Sequence, residues 1–78
     1  MWSHYLPQDD GSWKIRIGEV RTIAGRERRV VTEIVTDDVP RFVVELSQEF
    51  PEATQISFRE ERGDALVILP DSTTLYVR

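Results

Sequence analysis

His4 is the only histidine in the sequence, and there is no cysteine. An imidazole can exchange protons near neutral pH, but general-base work also needs a positioned substrate and normally an orienting partner. His4 stands near the start of the chain beside Trp2 and Tyr5, where it reads as an ordinary surface residue. No serine occupies a nucleophile-elbow pattern. Gly11, Gly18, Gly25 and Gly63 are scattered singly and form no phosphate-binding loop. The missing cysteine removes disulfides, thiolate metal ligands and thiol nucleophiles. The sequence therefore assigns no catalytic residue and no cofactor.

Acids gather at Asp37-Asp38 and Glu60-Glu61, with Asp64 close to the second pair. A hard cation needs several oxygens converging on one point. Helix capping and dipole complementarity explain the first pair better. The second flanks a turn, where alternation sends neighbouring side chains to opposite faces. No metal site is assigned. Arg62-Gly63-Asp64 spells an integrin tripeptide, but a hairpin turn that wants glycine at positive φ accounts for it.

The strongest feature is "VRTIAGRERRVV", residues 20–31, which carries Arg21, Arg26, Arg28 and Arg29 around Gly25 against one acid, Glu27. The chain's formal charge of -4 hides a segregation. Residues 14–29 hold six bases and two acids, residues 30–78 four bases and ten acids, and residues 1–13 two further acids. Nine of the ten bases are arginine, which suits bidentate contact with carboxylate or phosphate. A solvated hairpin whose charges discourage edge pairing is the plain account. A binding account takes two forms. A nucleic-acid site normally belongs to a basic domain with stacking aromatics, whereas this chain has a pI near 4.9, and its acidic remainder opposes a polyanion. An acidic or mixed-charge protein fits better, with Lys14 and Arg16 on the same strand extending the basic surface.

These residues must be held by a small frame. The 78 residues, 40% hydrophobic and 31% charged, make one globular domain near the lower size limit for a single core. No apolar run approaches a membrane span, the first ten residues lack signal-peptide character, and cysteine-free composition fits a reducing compartment, so the expected location is the cytoplasm. Val39, Phe42, Val43, Leu46 and Phe50 recur at helical spacing, with Asp37 or Asp38 as N-cap, Pro40 in the first turn and Pro51 as the stop. Trp13, Ile15 and Ile17 alternate as a strand, and Val20 then continues on even numbers; this phase slip predicts a β-bulge at Gly18. "RRVVTEIVT" returns the chain, and "TQISFREE", "ALVILP" and "TTLYVR" give three further strands. Residues 1–12 form a separate N-terminal segment, with a short edge strand around Ser3–Leu6; residues 13–78 form the domain.

The expected fold is α+β: one antiparallel sheet of about five strands, ββ–α–βββ with an extra N-terminal edge strand, and one helix on one face. Trp13 belongs to the core. Trp2, with Tyr5 and Leu6, either closes an open end of the core, the favoured placement, or forms an exposed aromatic patch of the kind that anchors interfaces. The functional expectation is a non-enzymatic protein-interaction domain, an adaptor or stoichiometric inhibitor of the sort that phage and mobile elements also encode. Its contact surface would draw on Arg21, Arg26, Arg28, Arg29, Lys14, Arg16, Trp2 and Tyr5. The alternative is a nucleic-acid contact module using the arginine-rich hairpin 21–29.

Overall fold

Runs of alternating apolar and polar residues on either side of one amphipathic segment fold as six strands and one helix: β1 (Trp2–Pro7), β2 (Trp13–Ile23), β3 (Arg26–Thr36), α1 (Arg41–Glu49), β4 (Gln55–Arg59), β5 (Asp64–Ile68) and β6 (Thr74–Val77). This computed structural model describes residues 1–77. The strands make one sheet in the order β3-β2-β1-β4-β5-β6, and each neighbouring pair is antiparallel. The α+β class with a helix on one face is as expected, with six strands instead of about five. Among the described residues no helix is long and apolar enough to cross a membrane.

Alternation assigns each side chain to a face. On the inner face, Tyr5, Ile15, Ile56 and Val67 face Val43 of the helix and Ala53 of the following turn, and all six are buried. Phe42 meets Tyr5 edge-to-face at 6.2 Å and Phe58 at 4.8 Å, so one helical side chain spans both central strands. Trp13, Ile17, Leu46, Phe50 and Leu75 close the margins of this core. The apolar stripe of the helix is as expected. Its start is not: Pro40 is itself the cap residue, with no side-chain cap, and the backbone N–H of Asp38 bonds to Thr36 Oγ1 at 3.0 Å. Proline lacks the N–H a first-turn residue may dispense with, but its ψ of 147° keeps it outside the helix.

Two expectations about the first twenty residues are overturned. The N-terminal segment is neither separate nor an edge: β1 lies at the centre, with Trp2–Pro7 against β2 and Trp2–Tyr5 against β4. Its Ser3 and Tyr5 are buried toward the helix, which an edge appendage could not achieve. There is also no bulge. The β2·β3 ladder runs from Trp13↔Thr36 to Ile23↔Arg26 without interruption, through Gly18↔Val31. Val20 therefore sits on the outer face, and the change of apolar phase reflects a ribbon exposed on both sides. The turn between these strands is Ala24-Gly25, both at positive φ (52° and 76°), as a two-residue hairpin requires.

Ile56 is wholly inaccessible at the junction of the two halves. Its replacement by alanine is expected to lower the unfolding free energy by roughly 2–5 kcal/mol in urea titration. A Cβ added at Gly18 would meet nothing within 4 Å, and the residue has no positive φ. Gly18→Val is accordingly expected to be neutral or stabilising by up to about 1 kcal/mol in the same assay.

Candidate functional site

The outer face of the sheet is not covered by the helix, and the register places several of the singled-out residues on it. Val31, Gly18, Trp2, Arg59 and Asp64 form one cross-strand row; Glu33, Arg16, His4, Ser57 and Leu66 form the next. Lys14 and Arg29 belong to the same face, as partners of Val35 and Val20. Arg21, Arg26 and Arg28 face the other way, since Arg21 shares the parity of inward-facing Ile15 and Ile17 and stands opposite Arg28, and Arg26 is two residues from Arg28 on the same strand. The arginine cluster is thus divided between two faces of the ribbon. Tyr5 is in the core and offers no contact surface.

His4 is not the surface residue its sequence position implied. Its Nδ1 lies 2.7 Å from Ser57 Oγ, and the Gln55 amide nitrogen lies 2.8 Å from that oxygen and 3.3 Å from Nδ1. An amide nitrogen can only donate. Donation from the Gln55 amide to Nδ1 goes with the neutral tautomer protonated on Nε2, in which the Ser57 hydroxyl donates to Nδ1. Partial burial, and secondarily the positive charge of Arg16, lower the histidine pKa. The serine–histidine pair resembles a nucleophile and base, but Ser57 is only 2% exposed. An acyl carbon has no approach to its oxygen, and in this arrangement the pair cross-links β1 to β4.

A second polar group lies alongside. Arg59 makes two near-parallel bonds to Asp64, Nε to Oδ1 at 3.3 Å and Nη2 to Oδ2 at 3.2 Å, and the Tyr76 hydroxyl donates to Oδ2. Arg59 first, then Tyr76, hold the Asp64 carboxyl below the usual carboxylate range against the opposing effect of burial. Asp64 is 4% exposed, so the Arg62-Gly63-Asp64 tripeptide does not present its carboxylate to an integrin. Gly63 does carry the positive φ the turn requires. The guanidinium of Arg59 also sits 5.0 Å from the centroid of Trp2, whose ring stacks on His4 at 5.9 Å. Trp2 therefore does not close the core; it stands on the outer face as part of an aromatic and basic patch.

Beside Trp2 and next to Gly18 lies an open hollow of about 900 Å3, walled by Trp2, Val20 and Val31 and bordered by His4, Arg16, Glu19 and Arg29. Arg16 is held by Glu33, Nε to Oε2 at 2.7 Å, with Lys14 on the same carboxylate at 3.8 Å. Arg21 pairs with Glu19. Arg26, Arg28 and Arg29 make no ion pair among the described residues. The described acids gather into no group of three or more that could hold a metal. An open, apolar-walled hollow with guanidinium groups on its rim can seat an apolar side chain while pairing an adjacent carboxylate. The sequence pattern offered Trp2, Arg16 and Arg29 for a contact surface, but it favoured Trp2 at the core, left His4 an ordinary surface residue and gave Ser57 and Arg59 no role. The polar types of His4, Ser57 and Arg59 signalled a solvent-facing side, and nothing local signalled that they would meet.

No family model, no curated protein and no solved structure matches this chain. The fold alone carries no function, since small α+β sheets host unrelated ones.

Because the folded state holds His4 neutral while the unfolded imidazole titrates near about 6.5, the unfolded chain binds more protons in the window between the two values. Stability is therefore expected to fall as pH drops below about 6.5 and through the lower folded-state value. His4→Gln should flatten that slope in chemical denaturation series at successive pH values. An unchanged slope would show that the histidine is not held neutral.

Proposed function

We propose that this protein is a non-enzymatic protein-interaction domain that binds an acidic or mixed-charge partner, as an adaptor or a stoichiometric inhibitor. The observation that carries the proposal is the outer-face hollow: apolar walls from Trp2, Val20 and Val31 and a rim that includes Arg16 and Arg29. Aromatic side chains beside a concavity are the usual anchors of protein interfaces. Arg26 and Arg28 at the ribbon tip add unpaired positive charge, which steers encounter and sets orientation more than it adds affinity. The cysteine-free sequence is consistent with a reducing compartment, and the cytoplasm is the location proposed.

A nucleic-acid role is the weaker reading. Trp2 already stacks with His4 and Arg59, which leaves less of its π-face for a base, and the rest of the chain is acidic. Capture of partners from native lysate, with and without nuclease, separates the two. On the proposed reading a bound protein survives nuclease. Gly18→Val, which places an isopropyl group in the floor of the hollow without disturbing the ladder, should then speed dissociation of that protein. Changing Arg26, Arg28 and Arg29 together to glutamine should slow association roughly tenfold or more and flatten its dependence on salt. Loss of all partners after nuclease would replace this reading with the nucleic-acid one.

A further inference from the structure

Among the described residues the sheet ends at two edges, the four-residue β6 and the eleven-residue β3. The outer edge of β3 is long, and it carries Val31 and Val35, each 64% exposed, and Ile34, 47% exposed. Long apolar edges pair with other strands unless something prevents it. β3 has five charges, Arg26, Glu27, Arg28, Arg29 and Glu33, which at first sight would repel a neighbour. Their spacing decides otherwise.

A two-fold antiparallel pairing of β3 with β3 of a second copy keeps inner faces with inner faces only in alternate registers. Centring it on Val31 sets Val31 against Val31, and Arg29 against Glu33 of the second copy, twice by symmetry. The same register sets Arg28 against Ile34 and Val30 against Thr32. It also brings Arg26 opposite Thr36, next to Asp37 and Asp38, so the basic tip of each copy meets the acidic corner of the other. Centring on Val30 sets Glu27 against Glu33; centring on Arg29 or Glu33 sets like charges directly together. Centring on Thr32 makes no charge pair and places Glu33 on Val31. Opposite charges directly across an antiparallel pair stabilise it and like charges destabilise it, so the pattern selects one register instead of forbidding all of them. Glu33 would then sit between Arg16 of its own chain, already bonded at 2.7 Å, and Arg29 of the other.

We infer that the β3 edge is a self-association surface: a second copy adds its β3 in the Val31-centred register and extends the sheet from six strands to twelve across the two-fold. This surface is the sheet edge; it shares Val31 and Arg29 with the border of the outer-face hollow, and self-association of the purified protein is read without any occupant of that hollow.

Sedimentation analysis of the purified protein tests the inference without any partner. Wild type is expected as a dimer. Arg29→Glu and Glu33→Arg alone each turn two attractive pairs into two repulsive ones, and each should raise the dimer dissociation constant roughly ten- to hundredfold. An equimolar mixture of the two variants restores opposite charges at both pairs and should form a heterodimer of near wild-type affinity. A monomeric wild type, or a dimer that neither variant weakens, or two weakened variants that fail to complement each other, would overturn the inference. Far-UV circular dichroism of each variant confirms that the monomers compared are folded.

Discussion

His4 and Ser57 stand 53 positions apart in the chain and directly opposite each other in the sheet. The antiparallel contact of β1 with β4 is what makes one domain out of two three-stranded meanders. Closing it costs chain entropy that neither hairpin meets on its own, and both faces of the junction supply compensation. On the inner face Tyr5 opposes Ile56 under the helix, with Phe42 touching both Tyr5 and Phe58. On the outer face the Gln55–Ser57–His4 bonds and the Arg59–Trp2 contact span the same strands. Burying Ser57 is tolerable because its hydroxyl has both a donor and an acceptor as neighbours; no buried side-chain polar atom among the described residues lacks a partner.

The same junction sets the shape of the rest. β1 ends at Trp2, opposite Gly18, while β2 and β3 each run for eleven residues. Past Gly18 the ribbon has no third strand beside it, and residues 20–29 are all exposed. Strands of that length reach about 36 Å, which accounts for the 43 Å long axis of the molecule. A two-stranded ribbon is marginal by itself; here its register is fixed at one end by the sheet. The mismatch in strand length leaves the hollow beside Trp2, and the strand order leaves the outer edge of β3 without a neighbour.

Charge adds selectivity to this geometry. The acids of the chain lie mostly in loops and on the helix, at Asp9, Asp10, Asp37, Asp38, Glu45, Glu49, Glu60 and Glu61, while unpaired arginines lie on the ribbon. A molecule with separated poles of opposite sign orients an acidic partner and, equally, a copy of itself. Contacts made at these exposed groups are sensitive to salt, whereas the Arg59–Asp64 pair, largely enclosed by Tyr76 and the sheet, is less so.

The sequence by itself determined the elements. The i, i+3, i+4, i+7 spacing from Val39 to Leu46 fixed the helical face, Pro51 its end, and the glycines at Gly25 and Gly63 two turns with positive φ. These signals are local, because periodicity and turn chemistry act over a few residues. Tertiary structure alone decided the strand order, the central place of β1 and the meeting of His4 with Ser57, since each depends on pairing between segments some fifty residues apart. It also decided how the arginines divide. An apolar pattern dictates facing only where one side of a strand is buried. Beyond Gly18 neither side of the ribbon is, so Val20 could face outward without a bulge; alternation alone parts Arg29 from Arg26 and Arg28, but only the sheet decides that Arg29 is the one on the face of Trp2.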